Sequence, residues 1–177
     1  NHLRESVTTM QPFLVFAIPT WNRKREVEVC IRSIAEQIVR RKDNSKTILI
    51  YVQDDCSTDG TKEVIEALQA EFPNIIAYHC TAKRIDYADA FRSLFMNVKA
   101  EWVWTFGDDD RLEPDALDAM LTILRSADCE FYHCVEKGRS AGTGRMLKGT
   151  LLNLCNAFGW LDMTGFITGN ITKGYTL

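Results

Sequence analysis

The sequence has little of what marks several large classes of protein. Of its 177 residues only three are His and four are Pro. Neither G-x-G-x-x-G nor G-x-x-x-x-G-K-[ST] occurs, which removes the main support for a dinucleotide oxidoreductase or a P-loop NTPase. The Gly-rich run from Gly138 to Gly144 lacks the strand and helix that must flank a phosphate-cradling loop. No Ser-His-Asp or Cys-His set stands out. His2 is terminal, His79 and His133 lie in strand patterns, and with no orienting partner each reads as structural. The six cysteines never form Cys-x-x-Cys and mostly sit in apolar patterns, which reads as reduced thiols in a cytosolic compartment. His133-Cys134 invites a zinc reading, but a second closely spaced ligand pair is missing. No apolar run approaches the ~18 residues that span a bilayer, and Asn1 to Ser6 has no apolar signal-peptide core. Neither sign of charge dominates, since 21 Lys and Arg face 24 Asp and Glu for a net −3. A nucleic-acid-binding face is therefore not expected.

What remains is 46% hydrophobic residues in a length that suits one domain with a sizeable core. Phe13 to Ile18 is a continuous apolar run that predicts a strand buried on both faces and ended by Pro19. After the polar loop Thr20 to Arg25, apolar residues at helical spacing predict a helix over Glu26 to Arg40. Further strands are expected over Thr47 to Val52, Ile75 to Cys80, Trp102 to Phe106, Glu130 to Val135 and Gly165 to Thr172. Helices are expected over Thr61 to Phe72, Tyr87 to Val98, Pro114 to Ser126 and Leu151 to Phe158. Lys137 to Gly149 has no core pattern and reads as a loop. Alternating strands and helices argue an α/β fold, a mostly parallel sheet with helices on both faces. In such sheets ligands bind beyond the carboxyl ends of the strands. Three polar loops share that edge: Thr20-Trp21-Asn22-Arg23, Asp54-Asp55, and Asp108-Asp109-Asp110.

Three adjacent carboxylates at a strand end repel one another unless a cation sits among them. Mg²⁺ or Mn²⁺ takes carboxylate and water oxygens, with substrate phosphates completing its shell. The plainer reading is a solvated acidic turn that caps the next helix. The position after a Trp-rich strand, shared with two other polar loops, favours the cation. Asp54 and Asp55 come directly off their strand and can accept hydrogen bonds from a nucleobase imide or from ribose hydroxyls. Ser57, Thr58 or Asp59 is expected to cap the helix that follows. Paired acids after a strand also occur in receiver domains, which want an Asp at the end of the third strand. Here that strand ends His79-Cys80-Thr81.

Three ordered motifs resemble those of the inverting family 2 glycosyltransferases with the GT-A fold. Ala17-Ile18-Pro19-Thr20-Trp21-Asn22-Arg23 is similar to the opening IPTYNR. Asp54 to Thr61 is similar to DDGSTDGT. Ala100 to Pro114 is similar to the block that holds the metal-binding DXD motif. The resemblance implies a single nucleotide-sugar-binding domain over residues 1–177, with its acceptor part incomplete. It implies that Pro19, Thr20, Trp21, Asn22 and Arg23 line the nucleotide pocket, that Asp55 faces the base beside Asp54, and that Arg84 touches base or phosphates. Asp109 matches the metal-coordinating Asp, Asp108 would contact ribose or sugar, and Asp110 would support the metal site. The first Asp of DXD falls on Gly107, so the form here is GDDD, a variant associated with bacterial surface-polysaccharide transferases. The family's catalytic base is expected beyond Leu177, with Asp162 the nearby acid inside the chain. The implied reaction is metal-dependent transfer of a sugar, with inversion, from a nucleotide-diphosphate sugar to a saccharide or lipid-linked acceptor. UDP is the default nucleotide, and Mn²⁺ or Mg²⁺ the cofactor. The implied place is the cytoplasm, at the inner face of the membrane if the acceptor is lipid-linked. A sugar nucleotidyltransferase is the nearest rival. It would want a Gly-rich basic loop where Pro19-Thr20-Trp21-Asn22 stands. A binding-only nucleotide domain is the other.

Overall fold

β1, Leu14–Thr20, sits at the centre of the sheet and runs through Pro19 rather than stopping at it. The backbone explains this. Ala17 offers its carbonyl to Phe106 N–H on the β4 side, and Pro19, two residues on, faces the same way. β4, Trp102–Thr105, pairs with β1 only over Leu14 to Ala17. The N–H that proline lacks would have pointed past the end of that strand, so nothing is lost.

The computed structural model describes residues 11–41, 48–126, 131–133 and 170–173. The other strands are β2 (Ile48–Asp54), β3 (Ile76–Cys80), β5 (Phe131–His133) and β6 (Asn170–Lys173). The helices are α1 (Lys24–Arg40), α2 (Thr61–Glu71), α3 (Tyr87–Asn97) and α4 (Ala116–Arg125). The sheet order is β3-β2-β1-β4-β6-β5. β3, β2, β1 and β4 are parallel neighbours, while β6 runs antiparallel between β4 and β5. The expected loop over Lys137 to Gly149, the helix over Leu151 to Phe158, the start of the last strand, and Asp162 lie outside the described residues. So do Cys129, Cys134 and Cys155. Among the described residues no helix is long and apolar enough to cross a membrane.

Strand alternation divides β1 between two cores. Leu14, Phe16 and Ile18 join Val27, Ile31 and Ile34 of α1, Ile65 and Leu68 of α2, and Leu117 and Leu121 of α4. Val15 and Ala17 face Leu94 of α3 on the other side. Both faces are covered, so the run is apolar without a break. Each fully buried Val, Leu, Ile or Phe among them contributes about 1.5 to 3 kcal/mol by leaving water.

The helix starts depend on distant partners. α1 begins at Lys24, two residues before the expected Glu26, because Lys24 N–H donates to Asp59 Oδ2 at 3.1 Å. Asp59 Oδ1 also accepts from the N–H and hydroxyl of Thr61, at 3.1 and 2.6 Å. One carboxylate therefore serves the first turns of α1 and α2, while Gly60 (φ 96°) takes the left-handed turn between. α4 begins at Ala116, not Pro114. Buried Gln37 accepts from Leu117 N–H at 3.2 Å and donates to the Leu112 and Glu113 carbonyls, holding the preceding loop as a separate turn.

Candidate functional site

The carboxyl ends of β1, β2 and β4 converge on a cavity of about 370 Å³. This lies within the range of small-molecule sites, ~300 to 1,000 Å³. From the end of β1 come Pro19 and Thr20, and from the loop after it Trp21 and Arg23. Asp55 and Arg84 line the side beyond β2, and Asp108 and Asp109 the side beyond β4. Three predicted residues are not on this wall. Asn22 (φ 51°) instead joins the loops: its N–H donates to Ser57 Oγ and its Oδ1 accepts from Thr58 N–H, both at 2.8 Å. Asp110 folds its carboxylate back over Gly107.

Asp54 departs most from the expectation of a residue beside the base. It is fully buried, its Oδ1 accepts from Ser57 N–H at 2.9 Å, and its Oδ2 accepts from the Tyr78 hydroxyl at 2.8 Å. Burial and this carboxylate together raise the Tyr78 hydroxyl far above its ordinary pKa. The cause is strand alternation. Ile48, Ile50 and Val52 all face the α1 and α2 side, and Asp54 continues their row.

Asp55 is the acid presented to the cavity. Its Oδ1 accepts from Ile85 N–H at 2.8 Å and from the Thr81 hydroxyl at 3.2 Å. Its Oδ2 faces Arg84 Nε at 3.8 Å. The Arg84 guanidinium also lies 3.4 Å over the Trp21 ring, a close cation–π stack. Trp21 remains 40% exposed, which is unusual for so large an apolar side chain and leaves ring surface for a ligand.

The aspartate turn forms the opposite end. Asp110 N–H bonds to the Gly107 carbonyl at 3.2 Å and closes the turn. Cys30, buried beneath it in α1, donates its thiol to the same carbonyl at 3.3 Å. Burial first, and then the three aspartates, push that thiol well above its usual pKa. Asp108 Oδ2 accepts from the Thr20 hydroxyl at 2.8 Å. Burial raises the Asp108 carboxyl, and the Thr20 bond and the Arg23 charge only partly offset this. Arg23 Nη1 reaches Asp109 Oδ2 at 2.6 Å and Asp108 Oδ1 at 3.6 Å. The Asp109 hydrogen bond raises the Arg23 guanidinium further above its already high pKa.

The fit to a divalent cation can be tested on these residues. Among the described residues no group of three or more His, Cys, Asp or Glu side chains converges. Mg²⁺-like ions do not need one, because one or two carboxylates plus phosphates and waters suffice. Asp109 is the most exposed acid of the turn, with 57% of its side chain accessible, and Asp108 is beside it. The turn also depends on a missing side chain: a Cβ at Gly107 would lie 2.6 Å from Asp110 Oδ2 and 3.2 Å from Asp109 Oδ1. The donor set thus fits a cation that shares its shell with a phosphorylated ligand.

Residues beyond the predicted set also line the cavity, namely Ile85 just before α3, Ala90 and Phe91 in its first turns, and Thr105, Phe106 and Gly107. Gln53, 1% exposed, donates to the Ala90 carbonyl at 2.7 Å and fixes the start of α3 against β2. Gln53 and Thr105 are on the same sheet face as Pro19, so the alternation of the strands carried a signal for that wall.

Comparison with known proteins bears on the family and the fold. Residues 15–175 match the profile of the family described as Glycosyl transferase family 2. The abequosyltransferase RfbV of Salmonella typhimurium strain LT2 is 32% identical over 122 residues, which cover 69% of this chain and 35% of that protein. The chain thus spans about a third of the length of that relative. Among solved structures, the mannosyltransferase PcManGT of Pyrobaculum calidifontis, in complex with GDP-Man and Mn²⁺, aligns with a TM-score of 0.60 at 20% identity. The alignment covers 72% of this chain and 36% of that one. S. aureus TarS 1-349 in complex with UDP-GlcNAc aligns with a TM-score of 0.58 at 18% identity, over 77% of this chain and 37% of that one. The sheet and its helices are those of the GT-A fold.

Proposed function

The chain belongs to glycosyltransferase family 2, and from that premise we propose that its cavity binds a nucleotide-diphosphate sugar for transfer of the sugar to an acceptor hydroxyl. One observation carries the reading. A single cavity has a stacking ring and a carboxylate at one end, Trp21 and Asp55, and a pair of acids at the other, Asp108 and Asp109. That is the order of groups in a nucleotide diphosphate: a flat base first, then a doubly charged anion that needs a cation.

The base end favours a pyrimidine. Asp55 Oδ1 already accepts two hydrogen bonds, so Oδ2 is the oxygen left to a ligand. One acceptor suits a base that presents one N–H, such as the imide of uracil. It suits guanine less, because guanine's two adjacent donors match both oxygens of a carboxylate. UDP therefore remains the first choice, with CDP and dTDP next.

At the acid end, Asp109 and Asp108 would hold Mn²⁺ or Mg²⁺, and the ion when bound supplies positive charge that offsets the leaving diphosphate. The protein's own contribution is positional. Thr20 fixes Asp108 by its hydroxyl, Gly107 leaves room for the carboxylates to fold over the turn, and Cys30 pins that turn from below. The reaction itself is proposed as a single displacement. The acceptor oxygen attacks the anomeric carbon opposite the diphosphate, its proton passes to a base, and the configuration inverts. Asp162, the acid expected near the acceptor, lies outside the described residues. The likeness to the Salmonella abequosyltransferase and the GDDD form support a saccharide or lipid-linked saccharide acceptor in bacterial surface-polysaccharide assembly.

Calorimetric titration of UDP, CDP, GDP and dTDP, with Mn²⁺ and again with EDTA, tests the reading. A pyrimidine nucleotide should bind with Mn²⁺ and fail to bind in EDTA. Asp109→Ala should abolish that binding while leaving the melting temperature unchanged. Equal binding in EDTA, or by the variant, would overturn the metal assignment. Binding of GDP alone would overturn the assignment of the base.

A further inference from the structure

Arg23 is an odd neighbour for a cation site. One of its nitrogens, Nη1, contacts both acids assigned to the metal, at 2.6 Å from Asp109 and 3.6 Å from Asp108. A guanidinium and a divalent cation compete for those carboxylates, since they carry like charge and seek the same acceptor oxygens. Resting on the donor reading above, we propose that Arg23 is a resident counter-ion. It neutralises Asp108 and Asp109 in the donor-free protein, yields them to the incoming cation, and then turns to the diphosphate.

Three features support an exchange rather than a fixed pair. Arg23 precedes α1, and its backbone is held separately, its carbonyl accepting from Val27 N–H at 2.9 Å, so the side chain can swing without disturbing the helix. That side chain is 47% exposed and the Asp109 side chain 57%, so moving them breaks no core packing. The exposed Arg23–Asp109 pair is worth only about 0.2 to 1 kcal/mol and the contact with the more buried Asp108 is long at 3.6 Å, so a divalent cation outcompetes the guanidinium once phosphates add to its shell. Arg23 also lines the same cavity as the acids, so a released guanidinium stays within the space a diphosphate would fill. Its planar fork then matches phosphate oxygens in pairs. The consequence is ordered loading: Mn²⁺ alone binds weakly, and Mn²⁺ with nucleotide binds well.

Titration of Mn²⁺, followed by the loss of its free-ion electron paramagnetic resonance signal, tests this on the wild type, Arg23→Gln and Arg23→Lys, first without nucleotide and then with UDP. Removing one positive charge next to the acids should tighten binding of Mn²⁺ alone in Arg23→Gln by about three- to tenfold, given the solvent screening of an exposed pair. Arg23→Lys, which keeps the charge, should stay near wild type. UDP should raise Mn²⁺ affinity more in the wild type than in Arg23→Gln. The gain should vanish in the double variant with Asp109→Asn. If Arg23→Gln binds Mn²⁺ alone no more tightly while UDP still recruits Mn²⁺ to both proteins, the exchange is wrong and the donor reading stands. If Mn²⁺ binds neither protein with or without UDP, the metal reading and the exchange fall together.

Discussion

Gly107 stands where the resemblance of the motif expects a first aspartate, and the structure says what a side chain there would do. The Cβ of Gly107→Ala would come within 2.6 Å of Asp110 Oδ2 and 3.1 Å of its Cγ, with Asp109 Oδ1 at 3.2 Å. Real contacts of this kind need about 3.4 Å or more, so the Asp110 carboxylate has to move by roughly 1 Å and crowds its neighbour. The obstacle is the end of a side chain rather than backbone, and the added methyl also restricts the unfolded chain. Global stability should therefore change by less than about 1 kcal/mol. Binding should suffer more, because disturbing the groups that orient a metal ligand typically weakens affinity about 10- to 100-fold, or about 1.4 to 2.7 kcal/mol. Calorimetry with Mn²⁺ and UDP beside a thermal melt separates the two effects. Gly107→Asp is the sharper variant. It supplies the acid that the resemblance expects, yet it places a like charge against Asp110 and should bind more weakly still. Wild-type affinity in Gly107→Ala, or a gain in Gly107→Asp, would refute the view that the turn requires glycine.

Thr20→Val keeps the shape of the side chain and removes the hydroxyl that donates to Asp108. A hydrogen bond to a charged group is worth about 1.5 to 3 kcal/mol, so urea unfolding at neutral pH should show a loss near the lower figure; no loss would mean water replaces the hydroxyl. Asp59→Ala should cost about 1 to 2 kcal/mol at pH 7 by removing a cap from two helices. Burial pushes the Asp59 carboxyl up, but bonds from the Thr61 hydroxyl and the Lys24 and Thr61 amides outweigh it, and its pKa falls below the ordinary value. The extra stability is then fully present above about pH 4 and disappears as pH falls through the lowered folded value. Unfolding curves of the two proteins should converge at acid pH, and a constant gap would count against the ionised cap.

What was legible in the sequence was local. β1, β2 and β4 could be read because strands covered on both faces carry unbroken apolar runs, and α1 because Val27, Cys30, Ile31, Ile34 and Ile38 repeat at helical spacing and all are buried. The aspartate turn and the exposed Trp21 could be placed at the ligand edge by topology alone. What escaped were decisions made across the chain. Lys24 starts α1 because Asp59, 35 residues away, receives its N–H. Asp54 and Asp55 look alike in sequence, and the sheet sends one into the protein and the other into the cavity. The row Ile48, Ile50, Val52 held that answer. Strand alternation put Gln53 and Thr105 on the face of the wall supplied by α3, but which turn of α3 closes it was not legible, since that depends on the buried Gln53 reaching the Ala90 carbonyl. The antiparallel course of β6 was equally hidden, because a short apolar segment does not declare its direction.

The stitching of the β1–α1 and β2–α2 loops has a mechanical consequence. Asn22 is bonded to Ser57 and Thr58, and Asp59 to Lys24 and Thr61, so residues 22 to 24 and 57 to 61 behave as one stiff lip. Neither loop can lengthen or shift without the other. The two ends of the cavity are each tied by several polar links: Asp55 to Thr81, Ile85 and Arg84, and the aspartate turn to Thr20, Arg23 and Cys30. Because Arg23, next to Asn22 and Lys24 in the stiff lip, also holds Asp109, the lip is a common reference from which the aspartate end of the cavity is set.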